Sequence, residues 1–376
     1  TRKWYKGEDE SVHNALLVGS QDIVSARPLA ILAETDQLIR RNPGALEFFN
    51  RNSPEEVWLS LKKFPEIREK VDMYLTTFGD RTVGELKFET ETYRQYPQRL
   101  IKVIQANLKQ RTPLKKEQEE ARVSVRKEAE KKVMAGIGNP FRKMIFRYLL
   151  KRTRYLVSNR ENLRFERTRA FGMLRRMFLV LGGKLAKADA LSAPRDIFYL
   201  RESEIFEWLE GTSVTINLKE LVELRKQEYL QFGKEESPGE RVETYGIVYQ
   251  ELDNETVVED EESDLKGTAC CAGVVEANIR VIHDPHEVKE GLNGEILVTS
   301  STDPGWITLF YGAAGVLVER GSLLSHSAIV SREMGLPCIV SVKGLLKRLK
   351  TGDRVRMNGS TGTIEILDKN ERENAA

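Results

Sequence analysis

The chain has 376 residues, with 59 Lys and Arg against 57 Asp and Glu, a formal net charge of +2. Forty per cent of the residues are apolar, enough for ordinary cores, and the length suits two or three domains of roughly 100–200 residues each. This composition excludes a disordered or collagen-like chain, and no run approaches the ~18 consecutive apolar residues of a membrane-spanning helix.

The N-terminus, Thr1-Arg2-Lys3-Trp4-Tyr5-Lys6, has the charges of a secretory leader without its apolar run, and it lacks an initiator Met. It reads as a chain processed or cut from something longer. Helical signals follow. Leu29, Ile31, Leu32, Leu38 and Ile39 are apolar, with Pro43-Gly44 as a stop. Ser53-Pro54-Glu55-Glu56 reads as an N-cap, a proline in the first turn and early acids, and the helix is expected to continue through Val57, Trp58, Leu59 and Leu61. From Arg99 to Arg176 there are 23 basic and 7 acidic residues, a net of +16. Within it, 115–132 reads as a solvated helix.

The longest helical pattern runs from Asn139-Pro140 to Gly182-Gly183, the latter read as its stop. Phe141, Met144, Ile145, Tyr148, Leu149, Tyr155, Leu156, Leu163, Ala170, Met173, Leu174, Met177, Phe178 and Leu181 recur at helical steps and predict a core-facing stripe. Arg152, Asn159 and Glu166 interrupt it, and polar groups on such a stripe must be paired or must face a cavity. In this interrupted stretch Arg160 and Arg164 are four residues apart and share a helix face. Beside Glu161 they form a candidate substrate-binding group: guanidinium groups stabilise a transferring anion, and a carboxylate accepts a hydroxyl proton. A purely structural ion-pair network is the competing reading.

From Glu235 to Asp264 there are 12 acidic residues and one basic residue, a net of −11. This stretch reads as an exposed acidic linker. Beyond it the pattern is of strands: 246–249, 274–277, 279–282, 295–298, 315–318 and 338–342, then a strand–turn–strand at 353–357 and 363–367 around Asn358-Gly359. The end of the chain is a polar tail. Cys270, Cys271 and Cys338 match neither a disulfide framework nor a zinc spacing, so a reducing, cytoplasmic setting is expected and no metal ligands are assigned. Cys338, in an apolar strand, reads as a small buried hydrophobe. The other histidines, His13, His283 and His286, lack a neighbouring acid or nucleophile pattern and read as loop or solvated residues.

The most informative segment is 315–340. A strand leads into Gly321-Ser322, and a short helix is predicted from His326 to Met334, with Ser325 as N-cap and Gly335 followed by Pro337 as stop. His326 then sits in the first helical turn, where free N–H groups and the helix dipole favour an anion. A neutral imidazole there is a competent nucleophile that can carry a phosphoryl group. By position alone, a polar residue with no chemistry is the alternative.

The segment resembles the phosphohistidine swivelling domain of the phosphoenolpyruvate-utilising enzymes, among them phosphoenolpyruvate synthase, pyruvate phosphate dikinase, rifampin phosphotransferase and enzyme I of the sugar phosphotransferase system. The residues that carry the resemblance are Ser325-His326, Ala328-Ile329, Arg332-Glu333, Gly335 and Pro337, with Gly294-Glu295-Ile296-Leu297-Val298, Thr302-Asp303-Pro304-Gly305-Trp306 and Gly352-Asp353 through Gly362 around them. The family usually has Gly-Gly where this chain has Gly321-Ser322, and often Thr at the position of Leu324. The helical half resembles, more patchily, the substrate-binding domain of rifampin phosphotransferase, through Tyr74 to Arg81 with Glu85, Tyr93 to Pro97, Arg160-Glu161-Asn162 and Asp196 to Leu200.

The resemblance implies an α+β multidomain fold: a mainly helical domain at 1–233 that binds an acceptor, an acidic linker at 234–266, a compact β/α phosphohistidine swivelling domain at 267–370 and a tail at 371–376. It implies His326 as the catalytic phosphohistidine, with Ser325 and Arg332 stabilising phosphate, although Arg332 lies off the His326 face of an ideal helix. It further implies a phosphotransferase of the paired-acceptor (dikinase) type. Mg2+ and ATP would be bound by an ATP-grasp domain in cis or in trans, because no such module and no Gly-rich Walker loop is recognised in the chain. A small molecule would be held by the helical domain. The alternative is a phosphocarrier or regulatory protein phosphorylated on His326 by a partner, without its own acceptor. Neither a nucleic-acid nor a membrane partner is expected: basic helices alone give non-specific binding, and no zinc or aromatic-rich module accompanies them.

Overall fold

The computed structural model describes residues 12, 15–17, 24, 27–109, 117–215, 217–232, 265–285, 288 and 291–369. His13, His286, the strand expected at 246–249, the acidic stretch 235–264 and the tail at 371–376 lie outside the described residues. The chain divides into two compact units, one formed by Thr1–Arg169 with Glu262–Ala376 and the other by Ala170–Glu261. The fold is α+β, helical first and then a mixed sheet. Among the described residues no helix is long and apolar enough to cross a membrane.

In the first unit the helices α1 (Arg27–Arg41), α2 (Pro43–Arg51), α3 (Pro54–Ser60), α4 (Pro65–Phe78) and α5 (Pro97–Leu108) enclose a core of Leu32, Ile39, Phe49, Val57, Tyr74, Phe78, Leu100 and Ile101. Prolines open four of the five, where their missing N–H costs no helical bond. Pro43 both stops α1 and starts α2, with the Asn42 side chain accepting from Ala45 N. Ser53 and Glu56 form a reciprocal capping box at α3. That helix ends at Ser60, and a 3-10 turn over Leu61–Lys63 leads to Pro65. Next come α6 (Glu117–Gly136) and α7 (Pro140–Lys187). Ala129 and Val133 of α6 pack with Phe146 of α7, so α6 is solvated on one side only.

Two expectations for α7 need correction. The helix does not stop at Gly182-Gly183 but runs on to Lys187. A Cβ at 182 would run into the Pro194 carbonyl and lie 3.1 Å from Ile197 Cγ2, so this glycine permits a close crossing rather than a helix end. The apolar stripe faces a core only at its end, where Phe178 and Leu181 pack in the second unit. Phe141, Met144, Tyr148, Tyr155, Leu156, Leu163, Met173 and Met177 are all exposed. The buried line on the first-unit part of the helix holds Phe146, Ser158, Glu161, Phe165 and Thr168, whereas Arg152 and Glu166 point to solvent.

The sheet of the first unit has the order β1-β8-β7-β3-β4-β5-β6-β2. Its strands are β1 (Leu265–Lys266), β2 (Thr268–Cys271), β3 (Val274–Val281), β4 (Ile296–Thr299), β5 (Gly315–Val318), β6 (Cys338–Val340), β7 (Arg354–Asn358) and β8 (Thr363–Asp368). The central β3, β4, β5 and β6 are parallel, and β7–β8 is an antiparallel hairpin. Both faces of β4, β5 and β6 are covered, which is why these strands read as nearly unbroken apolar runs, whereas β3 alternates with polar residues. Leu297, Val316, Val318, Cys338 and Val340 face one side with α11 (His326–Met334) and α10 (Ile307–Phe310). Their alternates Ile296, Val298, Leu317 and Ile339 face the other, with α12 (Leu345–Arg348) and β7. The sheet starts at Leu265, inside the stretch read as linker, because Leu265 is buried opposite Ile364.

In the second unit the last turns of α7, a 3-10 helix at Pro194–Tyr199, α8 (Glu202–Glu210) and α9 (Leu218–Phe232) share a core of Leu185, Leu191, Ile197, Ile205, Leu218 and Val222.

Candidate functional site

The site is built on α11, which begins and ends where local signals place it. The Ser325 side chain caps the helix by accepting from Ala328 N, and Gly335 closes it in the left-handed region at φ 68°. The Ser325 N–H donates to Ser322 O at 2.9 Å, and its hydroxyl lies 3.0 Å from that of Ser327. His326 is the first helical residue and is 2% exposed. Its ring stacks on Phe310 with centroids 6.5 Å apart, and neither ring nitrogen has a hydrogen-bond partner among the described residues. Burial pushes its pKa well below the usual histidine value, and the guanidinium groups of Arg81 and Arg164 push it down further. The imidazole is therefore neutral near neutral pH, with a lone pair free to attack.

Around it lie three arginines and two carboxylates, all in the first unit. Glu161 is fully buried on α7 and accepts from Arg160 Nη1 and Arg164 Nη1, each at 3.3 Å. Its second oxygen, Oε2, has no partner among the described residues. Arg160 also donates at 2.7 Å to the carbonyl of Leu324, in the loop that presents His326. The predicted trio on α7 and the predicted histidine on α11 thus converge. Ser325 caps the same helix, but Arg332 is engaged elsewhere: it is buried, and its Nε donates at 2.9 Å to the Cys270 carbonyl on β2. Arg332 ties α11 to the sheet.

Two further residues belong to the site, Arg81 and Glu85, which in the sequence carry only the resemblance. Arg81 is 3% exposed and lies over the Phe165 ring at 5.5 Å. Its Nε is 3.9 Å from Glu85 Oε2. Burial lowers the Arg81 pKa, while the Glu85 and Glu161 carboxylates oppose that. Burial raises that of Glu85, against the pull of Arg81 and a hydrogen bond from Thr168. The signal that could have flagged them is an opposite-charge pair four residues apart in a glycine-bearing loop, with Gly79 before Arg81 and Gly84 just before Glu85. Cys338 is a buried hydrophobe as expected, hydrogen-bonded to the Cys270 thiol, and that bond together with burial raises its pKa.

Residues 1–161 match the family described as rifampicin phosphotransferase fourth domain, and residues 291–362 match the mobile domain of PEP-utilising enzymes. The resemblance to the phosphoenolpyruvate-utilising enzymes is borne out. A rifampicin phosphotransferase of Streptomyces sviceus is 29% identical over 96% of this chain and 42% of its own length. That of Bacillus subtilis is 28% identical over 92% of this chain and 40% of its own length. The chain thus spans about two fifths of the curated relatives it matches. A solved structure of Thermococcus kodakaraensis aconitase X overlaps 28% of this chain and 99% of that chain at 21% identity, with a TM-score of 0.24 that is too low to bear an argument.

Proposed function

We propose that this chain is the acceptor side of an ATP-dependent phosphotransferase of the paired-acceptor type, in which His326 carries the phosphoryl group. The observation that carries this reading is the buried, neutral imidazole at a helix start, facing Arg81 and Arg164 and joined through the Leu324 carbonyl to the Arg160–Glu161–Arg164 cluster. In the first half-reaction a ring nitrogen of His326 attacks the donor phosphorus. The N–P bond forms, the donor P–O bond breaks, and its electron pair leaves on the donor oxygen. The N-terminal amides and dipole of α11, capped by Ser325, favour the added negative charge. In the second, an acceptor hydroxyl attacks that phosphorus and the P–N pair returns to the ring. The arginines offset charge developing on the phosphoryl oxygens, and Glu161 Oε2 takes the hydroxyl proton. Arg332 holds the helix that carries the histidine.

Among the described residues no group of three or more His, Cys, Asp or Glu is placed to hold a metal ion. ATP and Mg2+ belong, in this reading, to an ATP-grasp domain in cis or in trans. Residues 1–233 are the acceptor-binding domain and 267–370 the carrier domain, with the linker ending before the strand at Leu265–Lys266, and the cytoplasm is the setting. A hydroxyl-bearing small molecule of the rifampicin class is the acceptor suggested by the relatives' names.

The test uses phosphoramidate as a simple phosphoryl donor to the purified chain, followed by rifampicin. The reading requires acid-labile phosphate on His326, absent in His326→Ala. Glu161→Gln should slow its transfer to rifampicin by about a hundredfold. No phosphohistidine at all would sink the proposal. A stable phosphohistidine that no hydroxyl compound discharges would favour a phosphocarrier instead.

A further inference from the structure

His326 is 2% exposed and cannot meet a donor in the arrangement described. The helical part of the same unit lies close to it: Arg160 on α7 holds the Leu324 carbonyl two residues before the histidine, and the charges of Arg81 on the loop after α4 and Arg164 on α7 are near enough to act on the ring. The sheet part must leave that surface for the imidazole to be loaded and return to it for the imidazole to be discharged. One of the contacts between the two parts is made by the turn after β4.

Asp303 starts a 3-10 turn over Pro304–Trp306 and uses its two carboxylate oxygens differently. Oδ1 accepts from Gly305 N at 2.8 Å, inside the turn, whereas Oδ2 accepts at 2.8 Å from Gly84 N, 219 residues away in the helical part. Gly305 lies so close to the segment after α4 that a Cβ there would clash with Val83 N and stand 2.6 Å from Val83 Cα. The backbone of Gly305 is not in the left-handed region, so the glycine is required by this approach and not by its own conformation. Leu29, Ala33 and Val83 complete the seat by packing on the core of the sheet part, and Tyr93 hydrogen-bonds to Thr308 beside it.

We propose that Asp303 and Gly305 are positioning residues that form a docking latch: the turn seats against residues 82–84, and its closure places His326 against the Arg160–Glu161–Arg164 cluster. This rests on the reading of His326 as the phosphoryl carrier, but the latch itself can be tested without any phosphoryl transfer. The charge-assisted hydrogen bond and the glycine-sized contact make the closure specific in geometry, and a turn held in this way can open and re-form in each cycle.

The probe is diethyl pyrocarbonate, which modifies neutral imidazole, with site-resolved mass spectrometry on the whole chain. His283 is exposed and serves as the internal reference. Cys270 and Cys338, both fully buried in the sheet core, report on unfolding through their reaction with a thiol reagent. Gly305→Ala wedges the contact open. Asp303→Asn can keep an oxygen on Gly305 N while losing the charged acceptor for Gly84 N. In both variants the rate at His326 relative to His283 should rise at least about tenfold, the scale of a lost charge-assisted bond, while the cysteines stay protected. An unchanged His326 rate in both variants would overturn the latch, and so would cysteines that open in parallel with the histidine, which would make the turn a general support of the fold. If His326 becomes accessible but phosphoramidate leaves no phosphohistidine, the latch stands and the phosphotransfer reading falls.

Discussion

Gly182 and Gly183 are adjacent in one helix, and the packing around them sets opposite signs for the same substitution. In a helix interior, Gly→Ala gains about 1 kcal/mol from propensity alone. At Gly183 a Cβ meets nothing within 4 Å, so Gly183→Ala should stabilise by about that amount. At Gly182 the added methyl would overlap the Pro194 carbonyl oxygen and stand 3.0 Å from the Pro194 carbonyl carbon and 3.1 Å from Ile197 Cγ2. The 3-10 helix at Pro194–Tyr199 would have to retreat, and it carries Ile197, 1% exposed in the core of the second unit. Overpacking of this kind costs roughly 1–3 kcal/mol, occasionally more, and here it must exceed the propensity gain. Hydrogen exchange read by mass spectrometry on peptides spanning 190–210 measures the local opening. Gly182→Ala should speed exchange by about tenfold, equivalent to ~1.4 kcal/mol, and Gly183→Ala should slow it. A protected Gly182→Ala variant, or two variants of the same sign, would refute the claim that Gly182 exists for the Pro194 crossing.

Four further outcomes follow from single observations. The native pKa of His326 lies below its unfolded value, so the unfolded chain binds the proton first. Stability should be full above about pH 6.5 and decline as pH falls towards the native pKa; urea midpoints between pH 5 and 7.5 should show this slope, flattened in His326→Gln. Glu85 has the opposite sign: its raised native pKa removes stability as pH climbs through it, so Glu85→Gln should lessen that loss in the same titration. Arg332→Met removes the bond to the Cys270 carbonyl and should cost about 1.5–3 kcal/mol by denaturation, without raising the carbethoxylation of His326. Ser53→Ala breaks the capping box of α3 and should cost about 1 kcal/mol in the same assay.

The parts of the fold written in local chemistry were legible in advance. The span of α11 needs only Ser325 at one end and Gly335 at the other. The strand at Gly315–Val318 needs only its four apolar residues between polar breaks. Helical periodicity in α7 was equally plain, but period alone says that a helix has faces and not which face meets the rest of the molecule. The larger apolar stripe turned out exposed over most of its length, and the buried line was the one carrying Ser158, Glu161 and Thr168. Gly182 misled for a related reason, since a glycine that ends a helix and one that admits a neighbouring carbonyl look alike until Pro194 is placed. At the site, His326 and the Arg160–Glu161–Arg164 group were visible because each is a pattern within a few residues. Arg81 and Glu85 join them only through contacts spanning some 80 residues to Glu161 and Arg164.

The departure from the family at Leu324 acquires a different meaning from the way Arg160 takes hold of that loop. The acceptor at 2.7 Å is the carbonyl of residue 324 and not its side chain, and the residue is 41% exposed. A grip on the main chain is blind to residue identity. Threonine, leucine or any other residue with the same backbone course offers the same oxygen, so the side chain at 324 can change without loosening the loop from the helix.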